Sequence, residues 1–238
     1  MTSIQTLING SNELNIDLND KQKAQFIKYK ELLKEWNEKI NITAITEDDE
    51  IDIKHFLDSL TAFESELLDG EKKIIDIGTG GGFPGVPLKV INDKLDVTLL
   101  DSLNKRIKFL DIVIEELGLE NIKAIHGRAE EFSRTDEYRE KYDICISRAV
   151  ASLDTLSEYC IPFVKQHGFF IAMKGPGVEE ELKDAKNAIE LLGGKVRDLV
   201  EVDIPNSDRN HTLLIIEKVR KTPSKYPRGG GKPRKKPL

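Results

Sequence analysis

Apolar residues recur along this chain at two different periods, and the change of period divides it. After Asn19 or Asp20 as a helix cap, Phe26, Tyr29, Leu33, Trp36 and Ile40 fall three or four residues apart. That spacing puts them on one face of a long helix. Asn37 and Asn41 lie one turn apart just before Ile42-Thr43-Ala44-Ile45, where the helix is expected to end. A second helix is predicted across 49–63, with Ile51, Ile53, Phe56, Leu57 and Leu60 apolar. From Lys72 the pattern becomes one of short apolar runs at 74–77, 96–100, 121–125, 142–147 and 168–173. Helical patterns around 85–92, 103–117, 150–160 and 178–192 separate most of them. Such alternation predicts an α/β fold with a parallel, doubly wound sheet. Beyond Gly193-Gly194, strands at 195–202 and 212–219 flank the polar turn Pro205-Asn206-Ser207-Asp208 and predict an antiparallel hairpin on one edge. The expected organisation is a helical cap at 1–66, a sheet domain at 67–220 and a tail at 221–238. The cap is read as covering the sheet, not as an independent domain.

Composition narrows the class. The 39% hydrophobic and 33% charged content fits a globular chain, and no apolar run approaches the ~20 residues of a membrane span. The N-terminus lacks the basic flank and apolar core of a signal peptide. Cys145 and Cys160 sit in apolar stretches without metal-type spacing, so they read as reduced core thiols in a cytoplasmic protein, and no metal site is expected. The net charge of −6 is unevenly spread. Nine Lys/Arg and no acid lie between Lys218 and Leu238, which leaves −15 on residues 1–217. An acidic body with a basic tail points to nucleic-acid partners, because tail cations displace counterions from phosphates. It is equally the composition of a solvated terminus, and the tail, rich in Pro, Gly and Lys, is expected to be largely disordered without a partner.

The chemistry concentrates in Ile74-Ile75-Asp76-Ile77-Gly78-Thr79-Gly80-Gly81-Gly82-Phe83-Pro84-Gly85, where a buried strand ends near a carboxylate and five glycines follow within eight residues. Glycines admit positive φ and leave no Cβ between a ligand and the backbone. Gly80, Gly82 and Gly85 match the G-x-G-x-x-G dinucleotide fingerprint; Asp76, Gly78, Gly80 and Gly82 match the D-x-G-x-G-x-G loop of S-adenosylmethionine-dependent methyltransferases. The second fits better. A pyrophosphate wants an open helix N-terminus, and here Phe83 and Pro84 crowd it.

Asp101 ends the next strand, nineteen residues after Gly82, where an acid can accept both ribose hydroxyls of an adenosine; it can equally cap the helix that follows. At the end of the third strand, Ala129 and Glu130 are placed to meet the adenine, while Glu130 and Glu131 also suit a helix's first turn; His126 has no identifiable partner. The fourth strand ends in Ser147-Arg148-Ala149-Val150, where base methyltransferases often carry an Asn/Asp-Pro-Pro-Tyr tetrad. Arginine stays protonated and accepts no proton. Chemistry at this point should therefore need no base, a condition met by guanine N7, whose lone pair is free. Arg148 is the candidate catalytic residue, orienting the base or the cofactor; its structural alternative is a strand-end ion pair. Lys174-Gly175-Pro176, ending the fifth strand, is a place to meet phosphate.

Several pieces together resemble one bacterial family: Trp36-Asn37, Asn41-Ile42-Thr43-Ala44, His55-Phe56-Leu57-Asp58-Ser59, the 76–88 loop with its Phe-Pro-Gly-x-Pro-Leu ending, and Ser147-Arg148-Ala149. The chain is similar to the RsmG, or glucose-inhibited division protein B, family from about residue 20 to 218. The resemblance implies a Rossmann-like class I methyltransferase fold, with a seven-stranded, mostly parallel sheet whose last strand is antiparallel. It implies S-adenosylmethionine as cofactor and N7 of a guanine in the 530 loop of 16S ribosomal RNA as target. The partner is then that RNA, in the small subunit or an assembly intermediate. Separately, with no membrane-span run and nothing that suggests an obligate interface, the chain is expected to act as a monomer away from membranes. Carried over by position, cofactor contacts fall at Gly78, Phe83, Ala129, Glu130 and Arg148, with Asp76, Gly80, Asp101 and Ser102 as neighbours. Asn37, Asn41, His55, Asp58 and Ser59 match family motifs outside the loop and belong to the cap or to the RNA side. The rival readings are a small-molecule methyltransferase, a dinucleotide oxidoreductase, and an RNA-binding protein with a vestigial pocket.

Overall fold

The computed structural model describes residues 2–148 and 151–238; Ala149 and Val150, the end of the Ser-Arg-Ala-Val motif, lie outside the described residues. Helix α1 (Gln5–Glu13) precedes the long α2 (Asp20–Ile40). Asn19 caps α2 as expected: its side chain accepts from the Gln22 amide while the Gln22 side chain accepts from the Asn19 amide. Asn41 ends it at φ 49°, and the Asn37 carbonyl oxygen of the side chain accepts from the Thr43 amide, so both asparagines shape the helix exit. The second predicted helix is broken into α3 (Asp48–Ile51), a π-helical turn (Asp52–Leu57), α4 (Asp58–Leu60) and a 3₁₀ turn (Thr61–Ser65). Periodicity alone does not reveal that break. The wider π turn coincides with the residues that meet the sheet, Phe56 inward and His55 towards the glycine loop.

The α/β region follows: β1 (Lys73–Ile77), α5 (Gly85–Ile91), β2 (Asp96–Asp101), α6 (Asn104–Glu116), β3 (Ile122–His126), α7 (Ala129–Phe132), β4 (Tyr142–Arg148), α8 (Leu153–Cys160), β5 (Val164–Lys174), α9 (Val178–Leu192), β6 (Gly194–Asp203) and β7 (Asn210–Lys218). The sheet has seven strands in the order β3-β2-β1-β4-β5-β7-β6. β7 runs antiparallel between β5 and β6, so the predicted hairpin supplies both the far edge and its neighbour. β1 pairs in parallel with β2 on one side and β4 on the other. Successive connections leave β1 in opposite directions here, which opens a crevice at the carboxyl ends of these strands.

Alternate residues of each strand feed two cores. Ile74, Val97, Leu99 and Ile146 face Phe26, Tyr29, Leu33, Phe56, Val86 and Leu110 on one side. Ile75, Ile77, Cys145 and Phe170 face Leu153, Leu156 and Ile189 on the other. The N-terminal helices thus share a continuous core with the sheet. A buried ion pair ties them together: Lys30 Nζ lies 2.6 Å from Asp52 Oδ1 with both side chains almost wholly enclosed. Cys145 and Cys160 are buried free thiols. No helix among the described residues is long and apolar enough to cross a membrane.

The tail corrects the expectation of disorder. Thr222, Tyr226, Pro227 and Pro233 are buried against the body, and a last turn, α10 (Lys232–Lys235), ends near the crevice. Arg139 donates to the carbonyls of Thr222, Pro223 and Tyr226, and Arg134 to that of Pro227. The segment has too few apolar residues to fold alone; it borrows the surface of α7, α8 and the loop between α7 and β4.

Candidate cofactor and methyl-transfer site

The glycine loop is built from both ends. Asp76 Oδ2 accepts from Thr79 Oγ1 at 2.7 Å and from the Gly85 amide at 2.9 Å, stapling the start of the loop to the start of α5. Burial pushes the Asp76 carboxyl up to about 6, against the pull of these two bonds. Gly78, Gly80 and Gly82 have φ of 71°, 60° and 100°, a region that side chains other than glycine's enter at a cost. From outside, the Tyr29 hydroxyl of α2 donates to the Gly81 carbonyl at 2.5 Å. Tyr29 is legible in the sequence only as one member of an apolar stripe; its polar tip is what braces the loop.

The loop's amides are largely consumed within the protein. Those of Gly78 and Thr79 donate to the Leu100 carbonyl, those of Gly82 and Phe83 to the Thr79 carbonyl, and that of Gly80 to Asp101 Oδ2. A diphosphate needs such amides free and convergent. Beside the loop lies a cleft of about 510 Å³, walled by Gly78, Asp101, Ser102, Leu103, Ala129 and Glu130 among others. Asp101 and Glu130 on its wall suit the hydroxyls and amine of an adenosine. Asp101 is 3% exposed; its Oδ1 accepts from the Leu103 amide and its Oδ2 from Arg106 as well as Gly80, so it fixes the loop and borders the cleft at once. Leu103, one of the few exposed large apolar side chains, offers an apolar face there. A larger cavity, about 1110 Å³, lies between α9 and the β6–β7 hairpin; of the residues singled out in the sequence as site candidates only Pro176 lines it.

Of the predicted residues, Gly78, Asp101, Ser102, Ala129 and Glu130 therefore converge on one cleft. Asp76, Gly80, Phe83 and Arg148 stand behind or beside it. Phe83 is buried, with the His55 ring stacked on it at 4.5 Å and 9° and the Tyr29 ring at 5.4 Å. The Arg148 guanidinium lies 5.4 Å from the Phe83 ring centre and donates to Asp58 Oδ2 at 2.5 Å. The strand-end ion pair is therefore the state seen here. Asp58 Oδ1 also meets His211 Nδ1 at 2.7 Å, and His211 Nε2 meets Thr61 Oγ1 at 2.8 Å. Burial pushes Asp58 up, but His211 and Arg148 outweigh it and hold the carboxyl below its ordinary range. Burial, then the charge of Arg148, push His55 down to about 3, leaving a neutral ring whose Nε2 meets Thr43 Oγ1 at 2.8 Å. His55 and Asp58 thus reach the neighbourhood of the loop from the cap, His55 through Phe83 and Asp58 through Arg148. Ser147 ties β4 to β1 through the Ile77 carbonyl at 2.7 Å, while Ser59 bonds back to His55 within its own helix. His126 meets the Ser102 carbonyl at 3.1 Å. Lys174 is not held ready for phosphate: it is 9% exposed, paired with Glu181 at 2.7 Å and bonded to the Ala151 carbonyl.

Four contributors to the cleft wall escape a reading of the sequence: Tyr159 of α8, and Gly231, Arg234 and Lys235 of the tail. No local pattern marks them, because each reaches the cleft through packing between segments distant in the chain.

Comparison with known proteins places this arrangement. Residues 22–211 match the family model for rRNA small subunit methyltransferase G. A "Ribosomal RNA small subunit methyltransferase G" of Clostridium botulinum (strain 657 / Type Ba4) is 53% identical over 238 residues, covering 100% of both chains. The protein of that name from Clostridium novyi (strain NT) is 55% identical over 226 residues, 94% of this chain and 93% of the other. Among solved structures, a SAM dependent methyltransferase from Aquifex aeolicus superposes with a TM-score of 0.53 at 18% identity, over 74% of this chain and 96% of the other. M. jannaschii TYW2 in complex with AdoMet superposes with 0.52 at 16%, over 68% and 77%. These two likenesses bear on the fold alone, that of the Rossmann-like class I methyltransferases.

Proposed function

The chain belongs to the rRNA small subunit methyltransferase G family, and on that premise we propose that it methylates N7 of a guanine in the 530 loop of 16S ribosomal RNA. The cofactor is S-adenosylmethionine, which supplies an electrophilic methyl group when bound. One observation carries the cofactor reading at the level of this chain's residues: a glycine loop whose amides are consumed internally, beside a cleft walled by Asp101 and Glu130. The two carboxylates suit a ribose and an adenine, and the engaged amides disfavour a diphosphate. Gly78, Asp101, Ser102, Ala129 and Glu130 bind the nucleoside; Asp76, Gly80 and Phe83 hold the loop in shape.

Guanine N7 carries no proton, so the protein's task is alignment and exclusion of water, which can contribute ~7–11 kcal/mol. The groups around Arg148 fit that task. Arg148 remains charged, and Asp58 is engaged by Arg148 and His211. Arg148 positions the base or the cofactor carboxylate from the end of β4, beside the His55–Phe83 stack. The substrate is the RNA of the small subunit or of an assembly intermediate, and the enzyme acts as a monomer.

The test is a methyl-transfer assay with labelled S-adenosylmethionine on unmodified small subunits and on deproteinised 16S RNA, followed by mass spectrometry of nuclease fragments. The expected product is 7-methylguanosine in a fragment of the 530 loop. Label on another base, or at another atom of guanine, would refute the target assignment.

A further inference from the structure

The C-terminal segment contributes to the wall of the cleft that also holds Asp101 and Glu130. Gly231, Arg234 and Lys235 line it together with Tyr159, which lies close enough to Glu130 and Arg234 for both charges to act on its phenol. This segment lies beyond residue 211, where the family match ends. It is held by a latch with unusual anchoring. Glu158 of α8 is fully buried, and Arg228 fills both its oxygens: the Arg228 amide and Nε reach Oε1 at 2.6 and 3.0 Å, and Nη2 reaches Oε2 at 2.6 Å. A buried carboxylate deprived of its partner is strongly unfavourable, so α8 in this form requires the segment to be docked. Thr155, one turn earlier on α8, donates to the Pro233 carbonyl at 3.2 Å, next to the wall-forming residues. Tyr226 seals the same side by joining the core beneath α8.

We propose that residues 226–235 are part of the cofactor site: a strap, latched through Arg228 to Glu158, that closes the cleft with Gly231, Arg234 and Lys235. The inference rests on the cofactor reading given above. Its chemistry is that of enclosure. Arg234 and Lys235 line the cleft yet are exposed residues, so that their stems would cover a bound nucleoside while their charged heads stay in water. Affinity for the cofactor then depends on a segment whose composition reads as a loose tail.

The experiment measures binding of S-adenosylhomocysteine by calorimetry, without RNA, to the full chain, to Arg228→Ala and to the double variant Arg234→Ala/Lys235→Ala. Amide hydrogen exchange across 226–236 is followed with and without that ligand. Both altered side chains of the double variant are exposed, so it retains the fold. The expectation is at least a tenfold rise in Kd for Arg228→Ala and about fivefold for the double variant, with slower exchange at 229–235 in the liganded wild type. If the wild type binds but the double variant binds equally well and exchange is unchanged, the strap is not part of the site and the cofactor reading stands. If the wild type itself fails to bind, the cofactor reading falls and takes the strap's role with it.

Discussion

Arg148 ends β4 with its charge already committed, and the energetics of that commitment are testable. Its partner Asp58 also serves His211, and the side chains of Arg148 and Asp58 are only 14% and 13% exposed. Removing one member of a buried pair leaves the other desolvated and uncompensated. Asp58→Ala is expected to destabilise the fold by about 3 kcal/mol, seen in urea unfolding, with Asp58→Asn costing less because an acceptor for Arg148 remains. Nearby, His55 is held neutral. Its folded-state value of about 3 lies below the 6.5 of an unperturbed ring, so the unfolded chain takes up the proton first as pH falls. The stability His55 contributes is therefore fully present above pH 6.5 and is lost as pH falls towards 3, at up to about 1.4 kcal/mol per pH unit. NMR of the folded protein should find its ring resonances unchanged between pH 8 and 5. His55→Phe should flatten the acid limb of the stability curve; an unaltered limb would mean that the ring titrates normally.

At the scale of elements, the glycine loop distinguishes positions that sequence treats alike. Gly80 and Gly82 both fit the motif, but their surroundings differ. A Cβ at Gly82 would lie 2.5 Å from the Tyr29 hydroxyl and 2.8 Å from Val86, at φ +100°. A Cβ at Gly80 would meet nothing nearer than 3.9 Å, at φ +60°. Gly80→Ala should thus cost about the 1–2 kcal/mol of a left-handed residue, whereas Gly82→Ala must also displace Tyr29 and α5. A thermal melt should find the Gly82 variant several degrees below the Gly80 variant; equal midpoints would mean that the loop moves freely away from α2. The same packing gives the N-terminal helices a role: through Tyr29, α2 supports the backbone on which the cofactor is proposed to lie.

Across the whole molecule, charge and topology converge on one face. The carboxyl ends of β1, β2, β3 and β4 meet there, and the docked tail brings Arg234 and Lys235 to the cleft, with Lys232 and Lys236 in and next to the same exposed last turn. These cations belong to a tail without acids, attached to residues that carry −15, so RNA phosphates are expected to approach them. Replacing Lys232 and Lys236 with Gln should weaken RNA binding and reduce the slope of log Kobs against log salt by up to about 1.4, at roughly 0.7 per lost phosphate contact. An unchanged slope would place the RNA on another face.

Local pattern alone was enough for the alternation of strands and helices from β1 onward, the hairpin, the cap of α2 and the glycine loop with its flanking acid, but not for α1 or the break after Ile51. Each of these depends on residues within a few positions of one another, where periodicity and backbone freedom act. Tertiary structure alone decided which charges meet. That Arg148 faces Asp58 and not open solvent, that Lys174 is spent on Glu181, and that Tyr29 braces the loop all follow from packing between distant segments. The tail is the clearest case. Its composition cannot bury a core of its own, yet Tyr226 and Pro233 find one already made, and Arg228 meets a carboxylate already removed from water. Burial is a property of the assembled molecule, and the pairing of ions follows burial.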